Sequence, residues 1–471
     1  MNELNNQTLP SDTISVTERL ITGFSDLAWG TPLLILLLGG GLFFLLYSRM
    51  LPFRHFRHAI AILRGKYDDP DEPGQINHYQ ALSTALAATV GMGNITGVAL
   101  ALGMGGPGAI FWMWVSALLG VSTKYFTCTL AVMFRGRDSS GELQGGPMYV
   151  IVEGLGRNWK PLAIFFSLMG MIGVLPMFQV NQLTQVFRDV VLIPNHVEAG
   201  FSSDLISGLI VALLVGVVIF GGIKRIGKVT GRMVPLMVVL YVVLVLYIIF
   251  SNAENIIPSF ALIFEDAFSA NSVLGGALGA LVITGVRRAA FSNEAGIGTA
   301  PMAHGAAKTN EPVREGLVAM MGPVVDTIVV CTMTALALLI TGVWNAGESD
   351  GITMTADAFE LAMPGIGAYL LTICVAVFSI STMLSFPYYG SKCFSFIFGA
   401  KHNYIYKWFY LVTIPLGATA TLGTVVGIFD GAYAMMAFPT MISALLLSPH
   451  VVRASKDYFM RLKNQHSHGK N

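Results

Sequence analysis

The chain has 471 residues, of which 54% are hydrophobic and 12% are charged, and its formal net charge is +1. Soluble domains carry about 25% charged residues, so this composition excludes an ordinary soluble protein and favours a helical membrane protein. The near-neutral charge gives no basis for nucleic-acid binding. The cysteines lie in or beside apolar segments without metal-ligand spacing, which predicts neither a disulfide nor a metal at Cys128, Cys331, Cys374 and Cys393.

The apolar runs predict an all-α integral membrane protein with eleven transmembrane helices. Residues 1–30 form a polar N-terminal segment without a cleavable signal pattern. Residues 52–79 are expected to form a basic loop, and residues 453–471 a polar, frayed tail. The spans are predicted near residues 31–51, 80–103, 108–134, 161–187, 204–222, 231–251, 271–302, 314–341, 364–390, 405–428 and 430–451.

The positions of lysine and arginine predict the orientation. Alternate loops are rich in these residues, whereas the loops near 252–270 and 342–363 contain none. Because basic loops are retained on the cytoplasmic side, we expect a plasma-membrane protein with its N-terminus outside and its C-terminus in the cytoplasm. Residues 53–67 alternate basic and apolar side chains, which fits either an amphipathic helix on the inner leaflet or simple positive-inside retention.

Without the first span, ten spans remain in two groups of five, at residues 80–251 and 271–452. Since five is odd, the second group is inverted relative to the first, which predicts one N-terminal helix plus a 5+5 inverted repeat. Each group begins with a discontinuous helix, interrupted at Gly91–Asn94 in the first and at Thr284–Arg288 in the second. Glycine could instead serve close helix packing, but two arginines at mid-depth argue for a break at the second position.

Such breaks in paired helices predict a transport site near the middle of the membrane. The amides of Gly91, Met92 and Gly93 begin a half-helix and suit a carboxylate. The carbonyls of Ala87 and Val90 end the preceding half-helix and suit a cation. We therefore expect a small zwitterion to bind between the two breaks.

The ninth span offers partners for a cation. Ser381 and Thr382 place two hydroxyls side by side, and Phe378 lies one turn away. With the carbonyls of Ala87, Val90 and Phe378 they make a five-oxygen site that suits Na⁺. The alternative is that these hydroxyls bond carbonyls of their own helix.

Two blocks carry a resemblance to a known family. Gly105–Gly120 resembles the signature of the alanine or glycine:cation symporters, and Phe291–Pro301 resembles that family's other strong motif. The resemblance spans about residues 30 to 452 and implies the fold of the bacterial leucine transporter. It implies sodium-coupled import of alanine, glycine or serine by alternating access, with the shared sodium site at Ala87, Val90, Phe378, Ser381 and Thr382. Ala88 departs from the wider fold, where a polar residue often serves another sodium ion.

The predicted substrate contacts come from both breaks and the fourth span: Gly91, Met92, Gly93, Asn94, Gln179, Ile283, Thr284, Gly285 and Phe291. Gln179 is expected either to contact the substrate or to make an interhelical hydrogen bond. Asn293 either orients the second break or contacts the substrate. Crowding by Met92, Ile283, Phe291 and Phe378 favours a small side chain on the substrate.

Charged residues at membrane depth need partners. Arg287 and Arg288 are expected to pair with Glu294 or Asp326, either as a structural ion pair or as a gate. Lys124 is expected to extend its ammonium group to the inner interface.

The alternative function is a proton-coupled amino-acid carrier of the same fold, which needs a titratable group where Ser381 and Thr382 supply hydroxyls. Enzyme motifs in the spans and the GxxxxGK[ST] loop are absent from the sequence, so we expect neither an enzyme nor an ATP-driven pump. Na⁺ is expected as the coupling ion, without another cofactor. The expected partners are a small amino acid, Na⁺ and the lipid bilayer, with no nucleic acid and no required protein.

Overall fold

The computed structural model describes residues 23–268, 277–345 and 351–468. Most of the predicted N-terminal segment (residues 1–22) and the beginning of the predicted seventh span (residues 271–276) lie outside the described residues. The described chain is almost entirely helical. The β-structure of the described residues is one two-stranded antiparallel hairpin, β1 (Gly136–Arg137) and β2 (Leu143–Gln144), and an isolated parallel bridge between Ile76 and Ala307.

The helices follow one another along the chain with short connections. The first half contains α1 (Thr31–Tyr47), α2 (Leu51–Arg54), α3 (Phe56–Leu63), α4 (His78–Thr89), α5 (Met92–Gly105), α6 (Gly108–Met133), α7 (Lys160–Gly173), α8 (Met177–Phe187), α9 (Phe201–Ile219), α10 (Gly222–Ser251) and α11 (Ile256–Ala267). The second half contains α12 (Ala277–Asn293), α13 (Thr299–His304), α14 (Pro312–Ala319), α15 (Thr332–Thr341), α16 (Gly351–Ala362), α17 (Gly367–Phe398), α18 (Asn403–Thr419) and α19 (Leu422–His468).

Short helical segments join or extend these helices. The π-helical ones are Val150–Leu155, Arg188–Leu192 and Val324–Cys331. The others are single turns at Pro147–Tyr149, Arg157–Trp159, Ala253–Asn255, Met321–Pro323, Val343–Asn345 and Ala400–His402.

Nine helical segments within the described ranges are long and apolar enough to cross a membrane. The spans predicted near 271–302 and 405–428 are not among them, because α12 and α18 each have 17 described residues. At 1.5 Å per residue such a helix is about 26 Å long, close to the thickness of the hydrocarbon core. The structure thus supports a multi-pass membrane protein, and the count of eleven stays a prediction.

The helix pair α4–α5 occupies the centre of the molecule. In the segment from His78 to Gly105, 94% of the most apolar stretch is buried, against 33% for α9 and 33% for α10. The outer helices expose large apolar side chains such as Leu213 and Leu236. Apolar residues around a whole helix are typical of contact with lipid on one side and protein on the other.

The predicted position of the second break is wrong. Helix α12 runs through residues 284–288 and ends at Asn293. A Cβ atom on Gly285 would lie 2.5 Å from the carbonyl oxygen of Ala109 and 2.7 Å from Cβ of Trp112. This glycine therefore serves the close packing of α12 on α6 and not a break in the helix.

The second break instead occupies residues 294–298, between α12 and α13. Its backbone is left-handed at three positions, with φ of 56° at Glu294, 89° at Gly296 and 113° at Gly298. Two of these are glycines, which adopt such angles without steric cost. Both halves of the chain thus contain a discontinuous helix.

The C-terminal segment differs from the predicted frayed tail, because α19 continues to His468. It packs on the basic segment 53–67: the ring of His55 stacks on Phe459 with 3.7 Å between centroids. Within the basic segment, Ala59 and Ile62 are fully buried. Protein therefore covers the apolar side of this segment, which argues against its lying on the lipid surface.

Candidate functional site

The first break opens the backbone at Val90 and Gly91. Helix α4 ends at Thr89, Val90 is extended with ψ of 94°, and α5 begins at Met92. The N–H of Gly91 donates to Oδ1 of Asn94 at 2.8 Å. The amides of Met92 and Gly93 open α5, so they have no carbonyl partner within that helix and point toward its N-terminal end. Asn94 was predicted to contact the substrate, and its side-chain oxygen here caps the N-terminal end of α5.

Asn94 also joins the two breaks. Its Nδ2 donates to Oδ1 of Asp326 at 2.7 Å and to Oγ of Ser292 at 3.1 Å. The hydroxyl of Ser292 donates to Oδ2 of Asp326 at 2.8 Å, and Thr327 donates to the same oxygen at 2.7 Å. A buried network centred on Asp326 therefore connects α5, the end of α12 and the π-helical segment.

The second break is shaped by its own side chains. Oδ1 of Asn293 accepts the N–H of Ala295 at 3.0 Å, and its Nδ2 donates to Thr327 at 3.0 Å. Asn293 therefore orients the break, which was one of its two predicted roles. The next residue, Glu294, accepts a hydrogen bond from the hydroxyl of Thr299 at the start of α13.

A narrow cavity lies between the two breaks. It contains four of the predicted substrate contacts, Met92, Gly93, Gln179 and Phe291, together with Thr382 of the predicted sodium site. The structure adds side chains that we did not predict at the site. The cavity is lined by Ala88, Thr89, Met92, Gly93, Gln179, Phe291, Glu294, Thr382, Phe386, Phe429 and Tyr433.

The structure does not bring Ile283, Thr284 and Gly285 to this cavity. Ile283 is 37% exposed, Thr284 lies beside Gly105, and Gly285 packs on α6. The break that would bring them to a substrate lies about three turns further along the chain. Their substrate role stays a prediction that the geometry does not support.

Gln179 is well placed for a ligand. It is 4% exposed, and within the described residues its Oε1 has no hydrogen-bond partner. Its neighbour Asn181 makes the interhelical bonds instead, donating to the carbonyl of Ala420 at 2.8 Å. Because a buried amide oxygen without a donor is costly, Gln179 offers an acceptor to whatever fills the cavity.

The predicted sodium ligands converge at the end of α4. The hydroxyl of Ser381 lies 2.8 Å from the carbonyl oxygen of Phe378 and 3.4 Å from that of Ala87. The hydroxyl of Thr382 lies 3.2 Å from the carbonyl oxygen of Phe378. Val90, the remaining predicted ligand, is fully buried at the break itself. Both hydroxyls here bond their own helix, and each can turn its proton away to offer a lone pair to a cation.

Thr382 links this cluster to the cavity. Its hydroxyl also lies 3.4 Å from the carbonyl oxygen of Ala88. A Cβ atom on Gly91 would lie only 2.6 Å from the same hydroxyl. The absence of a side chain at Gly91 therefore lets α17 approach the broken backbone.

The predicted partners of Arg287 are wrong. Its Nη2 lies 2.8 Å from Oδ2 of Asp430, and its Nη1 lies 3.2 Å from Oδ1 of Asp26. Arg288 is buried beside this pair, and its Nε has no hydrogen-bond partner in the described part of the chain. The arginines therefore belong to a polar cluster with the N-terminal segment, away from Glu294 and Asp326.

Lys124 was predicted to reach the inner interface, and this is also wrong. The side chain is 1% exposed because α6 lies inside the molecule, where a Cβ atom on Gly322 would be 3.0 Å from its Nζ. Among the described residues, none of the ion pairs within 4.0 Å involves Lys124.

Comparison with known proteins identifies the family. The chain matches the sodium:alanine symporter family over residues 14–471. It is 41% identical over 455 residues to the sodium/alanine symporter AgcS of Methanococcus maripaludis, covering 95% of this chain and 98% of that protein. It is 33% identical over 464 residues to a putative sodium/proton-dependent alanine carrier protein, YrbD, of Bacillus subtilis, covering 93% of this chain and 92% of that protein.

Among solved structures, the fold is similar to that of MhsT in complex with L-phenylalanine. The TM-score is 0.54 at 13% identity, and the match covers 81% of this chain and 98% of that chain. At this identity the likeness shows the fold alone, which is that of the leucine transporter. The family and its relatives are symporters, which confirms the prediction of a transporter and not an enzyme. The chain belongs to the sodium:alanine symporter family.

Proposed function

We propose that the protein is a Na⁺-coupled symporter that imports alanine, glycine or serine by alternating access. The family supports sodium-coupled amino-acid symport. One observation carries the finer proposal: the oxygens of Ala87, Phe378 and Ser381 meet at the first break, and the adjacent Thr382 lines the cavity beside Met92 and Gly93. An ion and a zwitterion can therefore share one stretch of unwound backbone.

The cavity supports one orientation of the amino acid. The free amides of Met92 and Gly93, with the positive end of the α5 dipole, suit the carboxylate. The unpartnered oxygen of Gln179 suits a donor on the substrate. The phenyl rings of Phe291 and Phe429, whose centroids are 5.9 Å apart, restrict the room for a side chain. These features together favour a small neutral amino acid.

The position of the sodium site supplies a mechanism of coupling. Its oxygens come from the end of α4 and from α17, so a bound Na⁺ would hold these two helices together. By fixing the broken backbone, the ion would also fix the amides that receive the substrate carboxylate. Each ligand then favours the conformation that binds the other, which is the thermodynamic requirement for symport.

The proposed topology has eleven spans and contains a 5+5 inverted repeat. Nine helical segments of the described residues are long enough to cross the membrane, and α12–α13 and α18 are the two further proposed spans. The N-terminus is placed outside and the C-terminus in the cytoplasm. Contacts among segments that we assign to the cytoplasmic side support their lying on one side of the membrane. Lys392 donates to the carbonyl oxygens of Gly145 and Met302 at 3.2 and 2.9 Å, and Arg135 donates to that of Gly305 at 2.9 Å.

The test is uptake of radiolabelled alanine by the purified protein in proteoliposomes with imposed Na⁺, H⁺ or K⁺ gradients. We expect an inward Na⁺ gradient alone to drive uptake. Unlabelled glycine and serine should compete, and leucine should not. Absence of alanine uptake under every gradient would contradict the substrate, and strong inhibition by leucine would contradict the proposed size limit.

A proton-coupled carrier is the second candidate, because Glu294 places a buried carboxylate in the same cavity as Thr382. The similar YrbD protein is named as a sodium/proton-dependent carrier. The same proteoliposome experiment separates the two candidates. Uptake that follows the proton gradient in the absence of Na⁺ would favour the second.

A further inference from the structure

Glu294 is a buried acid that the sodium site does not use. It is 2% exposed, and it lies at the first residue after α12, where φ is 56°. Non-glycine residues rarely adopt this left-handed conformation, so the surrounding structure must hold it there. Glu294 lies in the wall of the cavity that Met92 and Gly93 also line.

Within the described part of the chain, Glu294 has no cationic side chain paired with it. Lys124 is also buried, but it makes no ion pair within 4.0 Å among the described residues. Asp326 is surrounded by donors, since Asn94, Ser292 and Thr327 all hydrogen-bond to it. Glu294 accepts from Thr299, and in the described residues it has no ion-pair partner within 4.0 Å. An uncompensated buried carboxylate is costly, and a cationic ligand would remove that cost.

The lining of the cavity therefore combines groups of opposite character. The amides that open α5 are hydrogen-bond donors, whereas the carboxylate of Glu294 and the unpartnered Oε1 of Gln179 are acceptors. A zwitterion satisfies both sets only if its carboxylate meets the amides of Met92 and Gly93 and its ammonium meets Glu294. A neutral hydroxyl in place of the ammonium would leave the Glu294 charge uncompensated.

Building on the proposed function, we propose that Glu294 binds the α-ammonium group of the substrate and makes the carrier selective for a free amine. Transport then excludes 2-hydroxy acids of the same shape, such as L-lactate. Gln179 contributes a neutral acceptor to the same group. Asp326 belongs to the network that joins the breaks and does not line the cavity.

The experiment compares wild type with Glu294→Gln, using inhibition of labelled-alanine uptake by unlabelled L-alanine and by L-lactate. Losing one charged hydrogen bond should raise the half-maximal concentration for alanine about 10- to 100-fold. The concentration for L-lactate should stay the same or fall, because the neutral amide removes the unpaired charge. The half-maximal concentration for L-lactate divided by that for L-alanine measures selectivity for the amine. This ratio should therefore fall strongly in the variant.

Asp204→Asn is the matched control, since it neutralises a buried carboxylate that pairs with Arg188 outside the cavity. We expect it to keep the alanine-to-lactate ratio of wild type. Glu294→Asp, which keeps the charge, should recover part of the selectivity. Stabilisation of Glu294→Gln by Na⁺ in a thermal unfolding assay shows that the variant is folded.

Two results would overturn the assignment: an unchanged alanine-to-lactate ratio in folded Glu294→Gln, or an equal loss of ratio in Asp204→Asn. If Glu294 instead carried a proton, Glu294→Gln would change the pH dependence of uptake and keep the ratio, which also overturns the assignment. Failure of wild type to take up alanine would count against the proposed function itself, so the two failures are distinguishable.

Discussion

The side-chain oxygen of Ser381 lies 3.4 Å from the carbonyl oxygen of Ala87, so α17 meets α4 one turn before its backbone leaves the helical path. Both groups are fully buried. The same hydroxyl lies 2.8 Å from the carbonyl oxygen of Phe378. It therefore lies between carbonyl oxygens of two different helices, beside the first break.

Glycine at position 91 is required by this approach of the two helices. The added methyl group of Gly91→Ala would lie 2.6 Å from the hydroxyl of Thr382. Overpacking of this kind costs about 1–3 kcal/mol, so the Na⁺ concentration for half-maximal uptake should rise about 5- to 150-fold. Gly97→Ala is the matched control, because a Cβ atom there would meet no atom within 4 Å. Equal effects of the two substitutions would contradict the account.

The aromatic wall of the cavity sets the size of the substrate. Phe386→Leu shortens one wall, and a change of this size in an apolar pocket is worth about 1–3 kcal/mol of discrimination. We expect the leucine concentration that half-inhibits alanine uptake to be about tenfold lower in this variant than in wild type. Phe394→Leu, on the same helix but outside the cavity, should leave leucine ineffective. A gain of leucine inhibition in both variants would show that the wall is not the cause.

The ion pair between Arg287 and Asp430 stabilises the folded state. Asp430→Asn leaves Arg287 and the buried Arg288 without their shared carboxylate, and we expect a loss of about 1–3 kcal/mol in the free energy of unfolding. Asp26→Asn removes the exposed carboxylate from the same arginine and should cost less than about 1 kcal/mol. Thermal unfolding of the variants in detergent measures both effects. A larger loss for Asp26→Asn would contradict the assignment.

Glu315 connects one end of each broken helix. Its carboxylate binds Nδ1 of His304 at the end of α13, at 2.5 Å, and Nδ1 of His78 at the start of α4. All three side chains are almost fully buried. Glu315→Gln puts a donor where an acceptor is needed and should destabilise the protein by about 3 kcal/mol or more. Glu153→Gln changes an exposed acid and should leave the unfolding midpoint unchanged within experimental error. A similar loss of stability in both variants would contradict the claim that Glu315 stabilises the fold through His78 and His304.

The first break could be predicted because its signal is local. Gly91, Gly93 and Asn94 interrupt an apolar segment, and the structure ends α4 two residues before Gly91. The predicted sodium ligands followed from the same local pattern on α17, where Ser381 and Thr382 face the break. Their role as sodium ligands stays a prediction.

The second break could not be placed from the sequence. The residues that suggested a break at 284–288 are explained by contacts with residues far away along the chain. Gly285 is needed for contact with Ala109, and Arg287 pairs with Asp430, 143 residues away along the chain. Lys124 is buried for a similar reason, since only the packing of α6 decides its depth. The local signal at Glu294–Gly298 was present in its glycines, but glycine alone does not distinguish a turn from close packing.

The central claim is tested most directly by Na⁺-driven alanine uptake in proteoliposomes containing wild type, Ser381→Ala/Thr382→Ala or Thr372→Ala. Thr372 lies on the same helix, and its hydroxyl bonds only the carbonyl of Ala368 among the hydrogen bonds of the described residues. We predict that the double variant loses uptake driven by the Na⁺ gradient, whereas Thr372→Ala retains it. Sodium coupling that is unchanged in the double variant, or uptake that follows the proton gradient in wild type, would contradict the account.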